Sequence, residues 1–300
     1  MTTVCNSHSK HAALCGNRQG GVEKQKSQIG GVAMINNQNN ENFYITDANL
    51  PINIFSLLED SIQPRQGREC KLVYEYETND GGKVQIGTNY YMLTPADINT
   101  LYILTTYRQE TGQTGDTFEI PLKYIMEKRG LDVTQSENVK LVLQSLDRLM
   151  TTKVVVERYG FANGKEFKRD IAKFVLLPSY RITQKGNKGR GYKTKLTVTL
   201  AKEICHNLDN GYVARGDLDI AKQLVKHKIA HRFYHFLMGK CTRNKTYKRN
   251  FAQFVRQDIC PELPLEEGKE KVISALIKLE SMGLITYKID KDVVCINIRK

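Results

Sequence analysis

The sequence has no tryptophan, and none of its apolar runs reaches the roughly 18 residues that a membrane-spanning helix needs. Its basic runs also lack an apolar companion face, which argues against a membrane-surface helix. Residues 1–21 carry no apolar stretch of the secretory type, so no leader is expected there. Seven cysteines, odd in number and scattered, form no disulfide framework and predict a reducing cytoplasm. There is no phosphate-binding G-x-x-x-x-G-K-[ST] loop, no dinucleotide fingerprint and no H-E-x-x-H. The His-x-His pair that nicking initiators need is missing too, and no carboxylates are paired as two-metal chemistry requires. Glu157, Asp170, Asp217 and Asp219 are explained by helix capping or hairpin surfaces. A non-enzyme with no catalytic residue and no cofactor is expected.

Two groups of metal-ligand side chains are present, and neither predicts a metal. Cys5, His8, His11 and Cys15 lie close together, but in a polar stretch without a fold to close around zinc. His227, His231 and His235 recur at four-residue spacing, and one helix cannot wrap three imidazoles around one ion. They are expected to form a packed aromatic face with Phe233, Tyr234 and Phe236.

What the chain has in excess is positive charge, +13 overall. Residues 179–300 hold 25 Lys or Arg against 12 Asp or Glu, whereas residues 1–178 hold 20 of each. The whole excess therefore sits in the C-terminal part, which points to a polyanion partner for that part, nucleic acid first.

Patterning predicts an α+β chain of two tandem winged-helix domains. Residues 1–40, rich in Asn, Gln, Ser and Gly, are expected to be a disordered or flexible polar tail. A first winged helix with an N-terminal extension is expected over 41–178, a basic linker or extended wing over 179–195, and a second winged helix over 196–300. A short helix is expected at Ile54–Leu58. Asp80-Gly81-Gly82 should turn a hairpin between KLVYEYE and KVQIGTNYYML. Thr94-Pro95 with Asp97 should open a helix whose buried face is Ile98, Leu101, Tyr102, Leu104 and Thr105. Further helices are expected before Gly130, over Ser136–Met150, from about Asp217 to Met238, around Phe251–Val255, and up to Gly283. Two hairpins should follow Met150 and Gly283. A repeat links them: Val142, Leu143, Leu146, Leu149, Val154 and Val155 match Val272, Ile273, Leu276, Leu279, Leu284 and Ile285 at a constant offset of 130.

DNA-contacting candidates follow from this layout. In the second domain Lys271, Ser274 and Lys278 share one helical face, with Lys288 and Lys291 on the hairpin. Glu266, Glu267, Glu270 and Glu280 accompany them, so the run Lys240, Arg243, Lys245, Lys248, Arg249 is expected to carry electrostatic binding at a helix entrance. Arg181, Lys185, Lys188, Arg190 and Lys193, with Lys195, suit a segment that follows a phosphate backbone. The corresponding set in the first domain is Asn138, Lys140, Gln144, Arg158 and Lys165.

The segments FSLLED at 55–60, YYMLTPADINTLYIL at 90–104 and QLVKHKIAHRFYHFLMGK at 223–240 resemble the theta-type, iteron-binding plasmid replication initiators, in particular their TrfA-like branch. The resemblance spans about residues 68–300. It implies binding to double-stranded DNA at direct repeats of an origin, melting of a nearby A·T-rich region, and recruitment of a host initiator and replicative helicase. It also implies self-association, as a dimer, through the first winged helix. A winged-helix transcription regulator of a phage or plasmid operon, or a basic partner-binding protein, is the alternative reading.

Overall fold

The computed structural model describes residues 42–48, 50, 71–77, 83–88, 92–157, 171–186, 193–240 and 246–299. The expected polar tail, the Cys5–Cys15 cluster, the Ile54–Leu58 helix and the turns after Glu77 and Glu157 lie outside these residues. All the described residues belong to one compact unit.

Strand β1 (Phe43–Asp47) precedes a hairpin of β2 (Lys71–Glu77) and β3 (Lys83–Thr88), paired antiparallel from Lys71 opposite Thr88 to Glu77 opposite Lys83. Helix α1 (Pro95–Glu110) opens as its sequence dictates. The Asp97 carboxylate accepts from the Thr94 backbone N–H at 2.7 Å and from its hydroxyl at 2.8 Å. The expected buried face is buried, but so is most of the helix surface, Asn99, Thr100, Ile103, Thr106 and Arg108 included. An amphipathic stripe does not describe it, because α1 is covered on several sides at once.

Strand β4 (Thr117–Pro121), α2 (Leu122–Lys128) and α3 (Ser136–Thr151) follow, then the hairpin of β5 (Thr152–Glu157) and β6 (Ile171–Val175). Strand β3 pairs with β5, so the hairpin extends a four-stranded sheet ordered β2-β3-β5-β6. Alternation sets its inner face: Val84, Ile86, Val154 and Val156 point into the core, while Lys83 and Lys153 are exposed. Residues 179–195 contribute β7 (Ser179–Lys185) and the start of β8 (Lys193–Thr199). These pair with β4 in the order β4-β8-β7, a wing-like hairpin rather than a linker. Strands β7 and β8 form a continuous ladder from Ser179 opposite Thr199 to Lys185 opposite Lys193, which a linker lacks.

Helix α4 (Lys202–Asp209) and β9 (Val213–Asp217) lead back to β1, which pairs antiparallel with β9. Asp217 starts a helix as expected, its carboxylate accepting from the N–H of Asp219 and Ile220. The long helix expected to Met238 is, however, two: α5 (Leu218–Gln223) and α6 (Lys228–Lys240). The chain turns at Leu224–His227, where His227 N–H bonds the Leu224 carbonyl at 2.8 Å. Both short helices pack on α1 and β9, but α5 also meets β1, whereas α6 meets the helix Leu265–Ser281 and the π-helical segment Phe254–Ile259. No Gly or Pro marks the break.

Strand β10 (Thr246–Asn250), α7 (Phe251–Gln253) with its π-helical continuation Phe254–Ile259, and α8 (Leu265–Ser281) come next. The hairpin of β11 (Ile285–Asp290) and β12 (Val293–Ile298) ends the described chain. The three strands order as β10-β12-β11. Helix, strand, helix, helix and hairpin are the winged-helix succession, and α1, β4, α2, α3, β5 and β6 repeat it. The fold is α+β, with two winged-helix units in tandem. They differ in their pairings: β10 joins its own wing hairpin, whereas β4 joins β8 and the β5–β6 hairpin is extended by β3.

The internal repeat holds in the helices and slips in the strands. Val142, Leu146 and Leu149 are fully buried, as are Val272, Leu276 and Leu279, while Ile273 is exposed where Leu143 is half-buried. In the strand the buried match of Val154 is Ile285, not Leu284. Helix α3 runs directly into β5, whereas α8 first closes at Gly283, whose φ of 72° is a left-handed cap.

The two units meet along α1 and α6 with β1 wedged beside them. Tyr44 stacks on Tyr102 at 4.2 Å, and Tyr102 on His235 at 5.1 Å. His231 Nε2 lies 2.9 Å from Asn99 Oδ1. His231 and His235 are buried against Tyr44 and Tyr102, not in one face with Phe233 and Phe236 as expected. Those two pack on Phe254 and Tyr247 instead, and His227 is exposed and takes no part. Burial, reinforced by His235 and Arg232, pushes His231 down to about 3, and burial pushes His235 down to about 4. Both imidazoles are neutral in the folded protein near neutral pH.

Two expectations follow. Below the ordinary His value of 6.5, an unfolded chain takes up protons that the folded one refuses. Stability should therefore be full above that pH and fall as pH drops toward 4, by about 2 kcal/mol per imidazole at pH 5. Urea melts across this range should show a shallower slope for His231→Gln/His235→Gln than for the parent; equal slopes would refute the assignment. Separately, a Cβ at Gly216 would lie 2.5 Å from the Tyr44 ring, whereas one at Gly239 meets nothing closer than 4.0 Å. Gly216→Ala should destabilise by about 1–3 kcal/mol, and Gly239→Ala, on a helix, should not.

Candidate nucleic-acid interface

In the C-terminal unit, α8 buries Val272, Ala275, Leu276 and Leu279 and turns the opposite side to solvent. Lys271, Ser274 and Lys278 lie along one edge of that outward side. Lys271 and Ser274 are exposed and Lys278 is half-buried. Lys271 Nζ is 3.2 Å from Glu267, and Lys269 Nζ is 2.9 Å from Glu266. Exposed pairs of this kind hold side chains loosely and exchange readily for a phosphate partner.

The hairpin places Lys288 on the exposed side of β11, 3.7 Å from Asp290. Lys291 is at the hairpin tip with φ of 51°, between Asp290 and Asp292. That left-handed conformation is rare for lysine, and the residue is exposed there. Register brings in a third cation: Lys248 on β10 and Lys288 on β11 both stand opposite Cys295 on the central strand β12. One cross-strand row therefore reads Lys248, Cys295, Lys288, and the sequence did not reveal it because β10 was expected to be a helix approach.

That expectation fails for Arg249 as well. Alternation along β10 turns Arg249 to the inner side of the sheet. There its Nε lies 3.0 Å from the buried Asp258 carboxylate and its Nη2 donates to Gln257 at 2.7 Å. It is held as a structural cation against the inner side of the sheet. Instead of Arg249, Asn250 serves the helix entrance, its side chain accepting from Gln253 N–H at 3.1 Å.

Elsewhere the candidate residues are dispersed. Arg181 is exposed on β7. Lys185, Lys193 and Lys240 lie within β7, β8 and α6, and their side chains are outside the description. Arg158, Lys165, Lys188, Arg190, Arg243 and Lys245 lie outside the described residues. In α3, Gln144 is exposed, Lys140 pairs with Glu137 at 2.7 Å, and Asn138 Nδ2 donates to the Asp132 carbonyl at 2.9 Å. Asn138 is thus turned back on its own turn. Lys153 and Lys173, both exposed on the β5–β6 hairpin, are cations that spacing alone did not single out. Lys195, by contrast, pairs with Glu119 across the sheet.

Among the described residues no group of three or more His, Cys, Asp or Glu is arranged to hold a metal ion. Nor is any described helix long and apolar enough to cross a membrane.

The adjacent β10 residues give a direct contrast. Arg249→Ala leaves Asp258 buried without its cation and should lower stability by about 3–5 kcal/mol, read from a urea melt. Lys248→Ala should leave the melt unchanged within about 0.5 kcal/mol. Equal melts for both variants would rule out the structural role.

No protein-family model and no curated protein matches the sequence. Solved structures do match the fold. A crystal structure of domains 2 and 3 of RctB superposes with a TM-score of 0.51 at 12% identity, covering 79% of this chain and 94% of that one. A second RctB domain 2–3 structure gives 0.47 at 13% identity, covering 78% and 94%. At this identity the likeness concerns the fold: a tandem winged-helix arrangement spanning most of both chains.

Proposed function

We propose that this protein binds double-stranded DNA in a sequence-specific way as an initiator of plasmid replication, recognising direct repeats at an origin. The observation that carries the reading is the confinement of the entire +13 excess to residues 179–300, within which a winged-helix unit exposes Lys248, Lys271, Lys288 and Lys291. Such residues release counterions when they meet phosphates. On this reading Lys271, Ser274 and Lys278 approach base edges from α8, Lys291 follows the backbone from the wing, and Lys248 with Arg181 adds sequence-independent attraction.

The neutral N-terminal part suits protein contact better than DNA contact, so self-association through the first winged helix is assigned to it. Local melting of an A·T-rich tract and recruitment of a host initiator and helicase complete the proposal. They rest on the family resemblance, to the TrfA-like initiators in particular.

Two measurements test it. Duplex fragments selected from a mixed plasmid and genomic pool at about 150 mM salt should be enriched in tandem direct repeats beside an A·T-rich tract. A lone inverted repeat would transfer the protein to transcription control, and a log affinity that barely changes with log salt would end the DNA reading. Within the site, Lys271→Ala or Lys278→Ala should reduce discrimination between target and competitor by about 1–3 kcal/mol where the lysine hydrogen-bonds a base edge. Lys248→Ala should weaken both duplexes equally.

A further inference from the structure

The outward side of α8 has a second stripe beside its lysine edge. At about 100° per residue, Ile273 and Ile277 stack one turn apart at the middle of this stripe, framed by Glu266, Glu270 and Glu280. Ile273 is 36% exposed and Ile277 54%, the latter the most exposed large apolar side chain among the described residues. Four of the twelve acidic residues of 179–300 lie on this single helix. A helix that met DNA with this stripe would set carboxylates against phosphates and strand two isoleucines. The stripe has the composition of a protein contact: apolar centre, charged rim.

The opposite composition occurs on the outer face of the β10-β12-β11 sheet. Its inner face carries Val294 and Ile296, both fully buried. Its outer face carries Val293, 40% exposed, and half-buried Cys295 along the central strand, flanked by Lys248 and Lys288. Thr246, Asn297 and Thr286 extend the same face, and Asp290 stands opposite Val293 as its one acidic member. Lys288 already reaches toward Asp290 at 3.7 Å, a loose and exposed pair.

We infer that the acidic, apolar stripe of α8 seats the outer sheet face of a second copy of this chain. Ile273 and Ile277 cover Val293 and Cys295, and Glu266, Glu270 and Glu280 meet Lys248 and Lys288. The occupant is argued from charge and apolar complementarity: the two faces match each other and neither matches itself. The contact is therefore heterologous, one surface of a copy on a different surface of the next. It uses the C-terminal unit and is distinct from self-association through the first winged helix. It does not depend on the DNA reading; Lys248 and Lys288 serve both, so one copy's sheet face meets either the next copy or phosphate at a given time.

Charge reversal of the full-length protein, without DNA, tests the contact. Sedimentation velocity in about 50 mM salt should show concentration-dependent association of the parent that weakens with salt. Glu266→Lys/Glu270→Lys/Glu280→Lys and, separately, Lys248→Glu/Lys288→Glu should each weaken it at least about tenfold, since each makes the two faces like-charged. Mixing the two variants, or combining both sets in one chain, should restore association. Circular dichroism melts would establish that each variant is folded, and Ile277→Ser gives a milder lesion if the triple reversal is not. A parent that stays monomeric, folded single-face variants that associate like the parent, or a mixture that fails to recover would each overturn the inference. None of these results bears on the salt slope for DNA, so this contact and the DNA reading fail separately.

Discussion

The buried seam between α1 and α6 is the constraint on which the rest of the molecule depends. Tyr44, Tyr102 and His235 stack there, and His231 bonds Asn99, so a strand from the N-terminal extension and one helix from each winged unit share a core. A polar aromatic seam is directional where an aliphatic one is not. Ring stacking and one imidazole–amide hydrogen bond fix the rotation of α6 against α1, whereas interchangeable methyl groups would let it slide. The close approach of Gly216 to the Tyr44 ring serves the same end, because β9 can reach that ring only without a side chain there.

Around the seam, three arginines are spent on architecture. Arg108 holds Asp209 bidentately at 2.8 and 2.9 Å, joining α1 to α4. Arg148 holds Asp97 at 2.8 Å through two nitrogens, joining α3 to the first turn of α1. Arg232 holds Glu262 and the Ile259 carbonyl, joining α6 to the segment before α8. Planar guanidinium forks suit this task, since each satisfies two carboxylate oxygens in one geometry. With Arg249 on Asp258, these pairs mean that the gross number of cations overstates those open to a ligand, whereas the net charge, in which each pair cancels, does not. The exposed set consists mainly of lysines.

Local signals made much of this fold legible in the sequence. The Thr94–Asp97 cap, the Gly283 stop and the alternation in LITYKI and VVCINI each act within a few residues, and each appears in the structure where the sequence placed it. The spacing of Val142, Leu146 and Leu149, and of Val272, Leu276 and Leu279, exposed the two helices that carry the wings. What the sequence hid was set by distant partners. TYKRN is a strand because β12 is beside it, and nothing inside those five residues says so. The break at Leu224–His227 lets α5 reach β1 while α6 reaches α8, and both rest on α1 and β9. The burial of α1 on nearly every side depends on β1 before it, on α2 and α3 after it, and on the distant α5 and α6. The candidate site shared this division: the α8 and hairpin lysines were readable from spacing, but the alignment of Lys248 with Lys288 required the sheet register.

That alignment changes how the basic run after Gly239 is to be understood. Read as a line, Lys248 and Arg249 are equivalent cations before a helix. In a strand, adjacent residues face opposite ways, so one becomes surface and the other core. The same physics separates Ile273 and Ile277 from Val272 and Leu276 along α8, where a 3.6-residue period rather than a two-residue one does the sorting. In both elements the composition of the segment is less informative than the face each residue occupies. A helix of mixed charge by count, with four Glu and three Lys, has an apolar inner side, a lysine edge and an acidic, isoleucine-bearing stripe. The last two turn different chemistry to solvent, and a single winged-helix unit can thereby offer one surface to a polyanion and another to protein.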